Sequence, residues 1–177
     1  MLALSNRVLT ILNRQGVDFE LMDPRDESFG TVCERDSVDL TTVVIDLGGR
    51  YLMVATGSGD DDDWNALSDQ LRDRGICLAD ECLRSVLMPG CEPGAEPAPG
   101  LLCGLPVFVT PRVGRASWVR FMAGDHSVQV AIRYRDFERL VMPHALEELL
   151  DRVAAEPLPT AGARRANNTG VALVCMA

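Results

Sequence analysis

Pro89-Gly90-Cys91-Glu92-Pro93-Gly94-Ala95-Glu96-Pro97-Ala98-Pro99-Gly100 places seven glycines and prolines in twelve positions, between two ordinary apolar segments. Glycine permits backbone conformations and close approaches that a Cβ forbids, while proline fixes φ and removes an N–H donor. A stretch so built is a shaped loop, since a flexible spacer uses serine and other small polar residues. Two uses stay open on composition alone: a connector between strands, because Gly and Pro punctuate most loops, or a rigid main-chain surface that meets a ligand.

Upstream of the loop, Leu4, Val8, Ile11 and Leu12 recur at helical spacing before Gly16, which predicts a helix over residues 5–15. Val17 to Met22 alternates like a strand and ends at the turn signal Asp23-Pro24, and residues 25–37 are polar and irregular. Leu40 to Leu47 and Arg50 to Ala55, around Gly48-Gly49, form the clearest hairpin. Asp60 to Asp63 precede a helix expected over 62–74, with Trp64, Leu67 and Leu71 on one face; carboxylates there complement the helix dipole, and their consecutive spacing does not match a calcium loop. Gly75 stops that helix, Ile76-Cys77-Leu78 reads as a short strand, and Asp80 caps a helix running to Leu87.

Downstream, Leu105–Val109 and Trp118–Ala123 read as strands, and Gly124-Asp125 as a turn into a strand over His126–Ile132. Residues 136–142 and 144–153 read as two helices split by Pro143. From 155 to 177 the composition turns to Ala, Pro, Thr, Gly, Arg and Asn, which predicts a disordered tail behind one domain over residues 1–154. The order of elements indicates an α/β (α+β) fold with a mixed, largely antiparallel sheet flanked by helices, with neither a G-x-G-x-x-G nor a P-loop motif.

The chain has 177 residues, is 47% hydrophobic and carries a net charge of −9, which argues against broad neutralisation of nucleic-acid phosphates and against a DNA-binding role. All 17 basic residues are arginine, so chemistry that needs a titratable amine has no lysine to use. The six cysteines (Cys33, Cys77, Cys82, Cys91, Cys103, Cys175) lack C-x-x-C spacing, and neither a zinc site nor a disulfide framework is indicated. No apolar run reaches the length of a membrane span and the start lacks a signal-peptide pattern, so a cytoplasmic protein without membrane contact, metal or cofactor is expected.

The order of elements and the loop together resemble the YbaK/ProX type of aminoacyl-tRNA editing domain, also called the prolyl-tRNA synthetase associated domain, over roughly residues 5–150. Leu78-Ala79-Asp80-Glu81, the helix after it and Gly90-Cys91-Glu92-Pro93-Gly94-Ala95 are similar to that family's signature; Leu105-Pro106-Val107-Phe108-Val109 and Ala123-Gly124 match its later strands. The resemblance implies hydrolysis of the ester joining a wrong amino acid to the 3′ end of a tRNA, with the transient partner being that mischarged tRNA end. It implies a backbone-based site at Gly94, with Gly90, Cys91, Pro93, Ala95, Pro97 and Gly124 against the substrate and Cys103 and Leu105 as wall residues. Thr41 falls where the family has a lysine, Asp23 where it has the histidine of His-Pro, Ala98 where it has a proline and Thr110 where it has an aspartate. A binding or regulatory module that keeps the pocket without the chemistry is the alternative.

Arg112, Arg115, Arg120, Arg133, Arg135 and Arg139 gather late in the chain, either as a cradle for an acceptor stem or as solvated and salt-bridged surface residues. His126 at a strand start and His144 at a helix start have no recognisable partner in sequence, and neither reads as a catalytic base.

Overall fold

A computed structural model describes residues 4–24, 36–47, 49–58, 68–69, 71–73, 76–98 and 103–155. Its elements are α1 (Leu4–Arg14), β1 (Phe19–Met22), β2 (Ser37–Asp46), β3 (Tyr51–Gly57), β4 (Cys77–Leu78), α2 (Glu81–Leu87), β5 (Val107–Val109), β6 (Trp118–Met122), β7 (Gln129–Arg133), α3 (Tyr134–Val141), β8 (His144–Ala145) and α4 (Leu146–Ala155). The strands form one mixed sheet in the order β1-β7-β6-β2-β3-β5-β8, with β4 paired to β2. Four ladders are antiparallel (β1·β7, β6·β7, β2·β3, β2·β4) and three parallel (β2·β6, β3·β5, β5·β8), so the α+β class with a largely antiparallel sheet holds.

Burial explains why β3 is apolar on both faces. Met53 and Ala55 turn, with Val44 on β2 and Val107 and Val109 on β5, to a cluster completed by Val8 and Leu12 of α1, Met88 and Phe137. Leu52 and Val54 turn, with Ile45 and Phe108, to a second cluster under Leu71, Ile76 and Leu146 and Leu149 of α4. A strand covered on both faces reads as a continuous hydrophobic run. Each large side chain taken fully from water contributes roughly 1.5–3 kcal/mol, so these two layers hold the sheet between its helices.

The predicted hairpin is β2–β3, in register from Leu40↔Gly57 to Asp46↔Tyr51, and the Gly49 N–H donates to Asp46 Oδ1 at 2.6 Å. Asp80 caps α2, its carboxylate accepting from the Leu83 N–H at 2.8 Å. Two expectations are corrected. His144 and Ala145 form β8 beside Phe108 and Val109, and the helix begins only at Leu146. The strand expected from His126 begins at Gln129, because residues 124–127 turn around the Asp125 carboxylate, which accepts from the Ser127 N–H (3.0 Å) and Oγ (2.5 Å). The acidic run Asp60–Asp63, Trp64, Leu67, Gly48, Gly75 and the tail over 156–177 lie outside the described residues; 68–69 and 71–73 are helical, within the helix expected over 62–74. Among the described residues no helix is long and apolar enough to cross a membrane.

One irregularity positions the loop. The β2·β6 ladder ends at Asp39↔Arg120, and the β2·β4 ladder starts at Ile45↔Leu78. Among the described residues, 40–43 of β2 therefore have no strand partner on that edge. The chain after β4 and α2 bridges this opening, because the Glu92 N–H donates to the carbonyl of Gly124, just past β6, at 2.9 Å.

Candidate functional site

The loop consists of two consecutive proline-glycine turns. The Cys91 N–H donates to the Met88 carbonyl (3.1 Å) across Pro89-Gly90, and the Ala95 N–H donates to the Glu92 carbonyl (3.0 Å) across Pro93-Gly94. Gly90 (φ +85°) and Gly94 (φ +84°) occupy the third position of each turn. Proline second and a positive-φ glycine third is the type II pattern, which side-chain-bearing residues reach only with strain.

Three further contacts fasten these turns. The Glu92 side chain accepts from the His126 backbone N–H at 2.9 Å, and His126 Nε2 lies 3.0 Å from the Pro93 carbonyl. Arg84 of α2 donates to Glu96 Oε1 at 2.9 Å. The Glu96 side chain is only 7% exposed, and the Arg84 guanidinium offsets the cost of burying a carboxylate there. Met88 and Ala98, at the two ends of the loop, are part of the main core cluster, and Ala95 and Pro97 are buried beside them. Pro89, Gly90, Glu92, Pro93 and Gly94 face solvent, and among the described residues the Gly94 N–H has no acceptor.

Gly124 receives the loop, its carbonyl accepting from the Glu92 N–H. Its φ is +107°, and a Cβ there would sit 2.6–3.0 Å from Leu4 of α1, so only glycine lets the helix approach the β6–β7 turn that receives the loop. Asp23, exposed just after β1, follows the Met22↔Gln129 pair and so lies at the same end of the sheet. The hydrogen bond from Ser127 holds the Asp125 carboxyl below its ordinary range.

Thr41 and Thr110 stand elsewhere on the sheet. Thr41 is exposed on β2 opposite Thr56, and its Oγ1 is 2.7 Å from Ser58 Oγ. Ala55 pairs with Val109, and the register carries Thr56 beside Thr110. The three threonines thus form a row across β2, β3 and β5. Among the described residues the hydroxyls of Thr56 (2% exposed) and Thr110 (4%) have no hydrogen-bond partner. The side chains of this row project from the sheet face opposite the cluster that Met88 and Ala98 join, so the loop and Thr41 border the same edge of β2 from different faces.

Chemically, the site offers main chain rather than a reactive side chain. Burial, with the Glu96 carboxylate next in effect, pushes the Cys91 thiol from 9.0 up to about 12, and burial pushes Cys103 to about 11. Neither is a thiolate nucleophile near neutral pH. Among the described residues no group of His, Cys, Asp and Glu is arranged to hold a metal ion. A small open depression beside the loop is lined by Glu81, Arg84 and Ser85 of α2 with Cys91, Glu92 and Pro93. Leu105, expected as a wall residue, lines a different and larger cleft with Pro106, Leu140, Met142 and His144.

The late arginines are largely committed within the molecule. Arg120 pairs with Asp39 at 2.6 Å, and Gln129 donates to the same carboxylate at 3.0 Å. The Arg133 guanidinium lies 4.9 Å over the Trp118 ring. Arg139 reaches the Gln15 carbonyl at 3.3 Å and Asp136 at 3.5 Å, and Arg135 is 3.9 Å from Asp136. These four support the structural alternative for the cluster. Sequence reasoning missed His126, whose partners lie 33 and 34 residues away.

Solved structures share this architecture. A protein proposed to be a trans-editing enzyme for prolyl tRNA synthetase superposes with a TM-score of 0.56 at 15% identity, covering 82% of this chain and 96% of its own. The likeness is one of fold. A scaffold protein used for computational epitope grafting gives a TM-score of 0.60 at 14% identity, over 82% of this chain and 95% of that one. A protein from Marinobacter aquaeolei VT8 proposed to act in signal transduction gives 0.55 at 20% identity, with 77% of this chain matching 29% of a longer one. No protein-family model matches the sequence, and no curated protein does.

Proposed function

We propose that this protein hydrolyses the ester of a mischarged tRNA, with the Pro93-Gly94 turn as its oxyanion-binding element. The observation that carries the proposal is the N–H of exposed Gly94, without an acceptor among the described residues, in a turn fastened on three sides. Hydrolysis adds water across the acyl ester, releasing a free amino acid and a tRNA with its terminal hydroxyl restored. As water attacks, negative charge develops on the carbonyl oxygen. A fixed main-chain donor stabilises that charge without reorganising, and loss of one such donor costs about 10² to 10³ in rate. The shared fold with a protein proposed to edit for prolyl tRNA synthetase supports the same class of substrate. Gly90, Cys91, Pro93, Ala95, Pro97 and Gly124 shape the turn and its support; Asp23 lies at the same end of the sheet, and Thr110 projects from the opposite face.

Thr41 presents a neutral hydroxyl where the resembled family has a lysine. An ammonium there would attract the tRNA terminus, so we expect slow release of amino acid from alanyl-, cysteinyl- or seryl-tRNA by the wild type and faster release by Thr41→Lys. Absence of release from every substrate by both proteins at catalytic concentrations would remove the proposal.

A second reading is favoured by the charge of −9 together with the committed arginines: a non-catalytic module that recognises a small amino acid, an aminoacyl end or a protein partner. A rise in melting temperature with a free amino acid or an aminoacyl-adenosine analogue, without turnover, distinguishes it.

A further inference from the structure

We infer that His126 is a positioning residue that sets the direction of the Gly94 N–H by holding the carbonyl of the same peptide. A carbonyl oxygen only accepts, so at 3.0 Å from the Pro93 oxygen it is Nε2 that carries the hydrogen. The Pro93–Gly94 peptide is trans, as all the described peptides are, and the C=O and N–H of a planar trans peptide point in opposite directions. Fixing the oxygen toward the imidazole therefore fixes the N–H away from it. The Gly94 Cα lies against the same ring, since a Cβ built there would meet His126 Cε1 at 3.7 Å.

The choice matters because type I and type II turns differ by a flip of this central peptide, and glycine in the third position accommodates either form. Proline at the second position is compatible with both. The imidazole hydrogen bond is the contact that distinguishes them, and an ordinary hydrogen bond of net strength near the middle of the measured range shifts a two-state population about fivefold. Donation into the carbonyl also polarises the peptide and strengthens the N–H as a donor. The other fastenings of the turn do not use the imidazole: the Glu92 N–H bonds to Gly124, and Glu92 Oε2 accepts from the main-chain N–H of residue 126. A substitution at 126 removes one donor and leaves the tether.

This role rests on the editing proposal only for its kinetic consequence, and the test separates the two. With ¹⁵N-labelled protein, the Gly94 amide resonance is compared in wild type, His126→Gln, whose side-chain amide N–H reaches the position of Nε2, His126→Phe, which keeps the bulk without the donor, and His126→Asn, which is too short to reach. The Gln variant is expected to keep the Gly94 amide resonance. The Phe and Asn variants are expected to displace it, as the balance between the two turn forms shifts about fivefold. In single-turnover deacylation the same two variants lose about tenfold in rate with little change in substrate half-saturation, because the lost interaction strengthens in the transition state. An unchanged Gly94 resonance in Phe or Asn, whichever folds, overturns the role of His126. Wild-type protein that releases no amino acid overturns the editing proposal alone, and the resonances still decide the orientation.

Discussion

Alanine at three glycines separates backbone strain from crowding. Gly90, Gly94 and Gly124 all sit at positive φ (+85°, +84° and +107°), where a Cβ costs about 1–2 kcal/mol. Their surroundings differ. At Gly90 a Cβ meets nothing within 4 Å, and at Gly94 only His126 Cε1 at 3.7 Å, which is ordinary contact. At Gly124 it falls 2.6, 2.8 and 3.0 Å from Cδ2, Cγ and Cβ of Leu4, and Leu4 is itself buried at the start of α1. Forcing that helix outward adds about 1–3 kcal/mol of overpacking. Gly90→Ala and Gly94→Ala are therefore expected to lose about 1–2 kcal/mol each, and Gly124→Ala about 2–5 kcal/mol, in urea unfolding followed by circular dichroism. At about 3 °C per kcal/mol for a chain of this size, the melting temperature falls by roughly 3–6 °C for the first two and roughly 6–15 °C for the third. Leu4→Ala in the Gly124→Ala background should return part of the difference. Equal losses at all three positions, or no rescue by trimming Leu4, would refute the close approach of α1 to the β6–β7 turn.

Two other outcomes follow from the loop's fastenings. Arg84→Met leaves the Glu96 carboxylate buried without its cation and is expected to cost about 2 kcal/mol, at the low side for a broken buried pair because Arg84 is 33% exposed; adding Glu96→Gln should recover at least half. The Cys91 thiol ionises near 9.0 when unfolded and at about 12 when folded, so its contribution to stability is complete below pH 9 and is lost as the pH rises toward 12. Cys91→Ser should flatten stability over that window in pH-dependent unfolding, and at neutral pH the exposed Cys82 should alkylate before Cys91.

Much of the architecture was legible where local chemistry agreed with the fold. The β2–β3 hairpin has β-branched runs around glycines, and Asp80 sits where a helix cap belongs. The parallel pairings β2·β6 and β3·β5 join segments more than fifty residues apart and leave no local mark. His144 and Ala145 precede a helical stretch and carry no strand signal of their own; pairing with β5 and the His144–Phe108 ring contact at 5.3 Å override the local pattern. The loop was recognisable as shaped, and its repeated Pro-Gly dipeptides carry the signal for two type II turns. What fastens it was not: the imidazole of His126 becomes a partner of Pro93 only after β6 brings the Gly124–Ser127 turn beside it. The threonine row likewise emerges only from the register of three strands, which aligns two positions, Thr41 and Thr110, that lie 69 residues apart in sequence.

The claim that the Pro93-Gly94 turn receives the aminoacyl ester is tested most directly by titrating ¹⁵N-labelled protein with a non-hydrolysable 3′-aminoacylamino-adenosine. The account predicts that the Gly94 amide proton moves downfield among the largest shifts, with Ala95 and His126 following. Binding that leaves Gly94 unmoved while shifting residues of the cleft at Leu105 and Leu140 would contradict it.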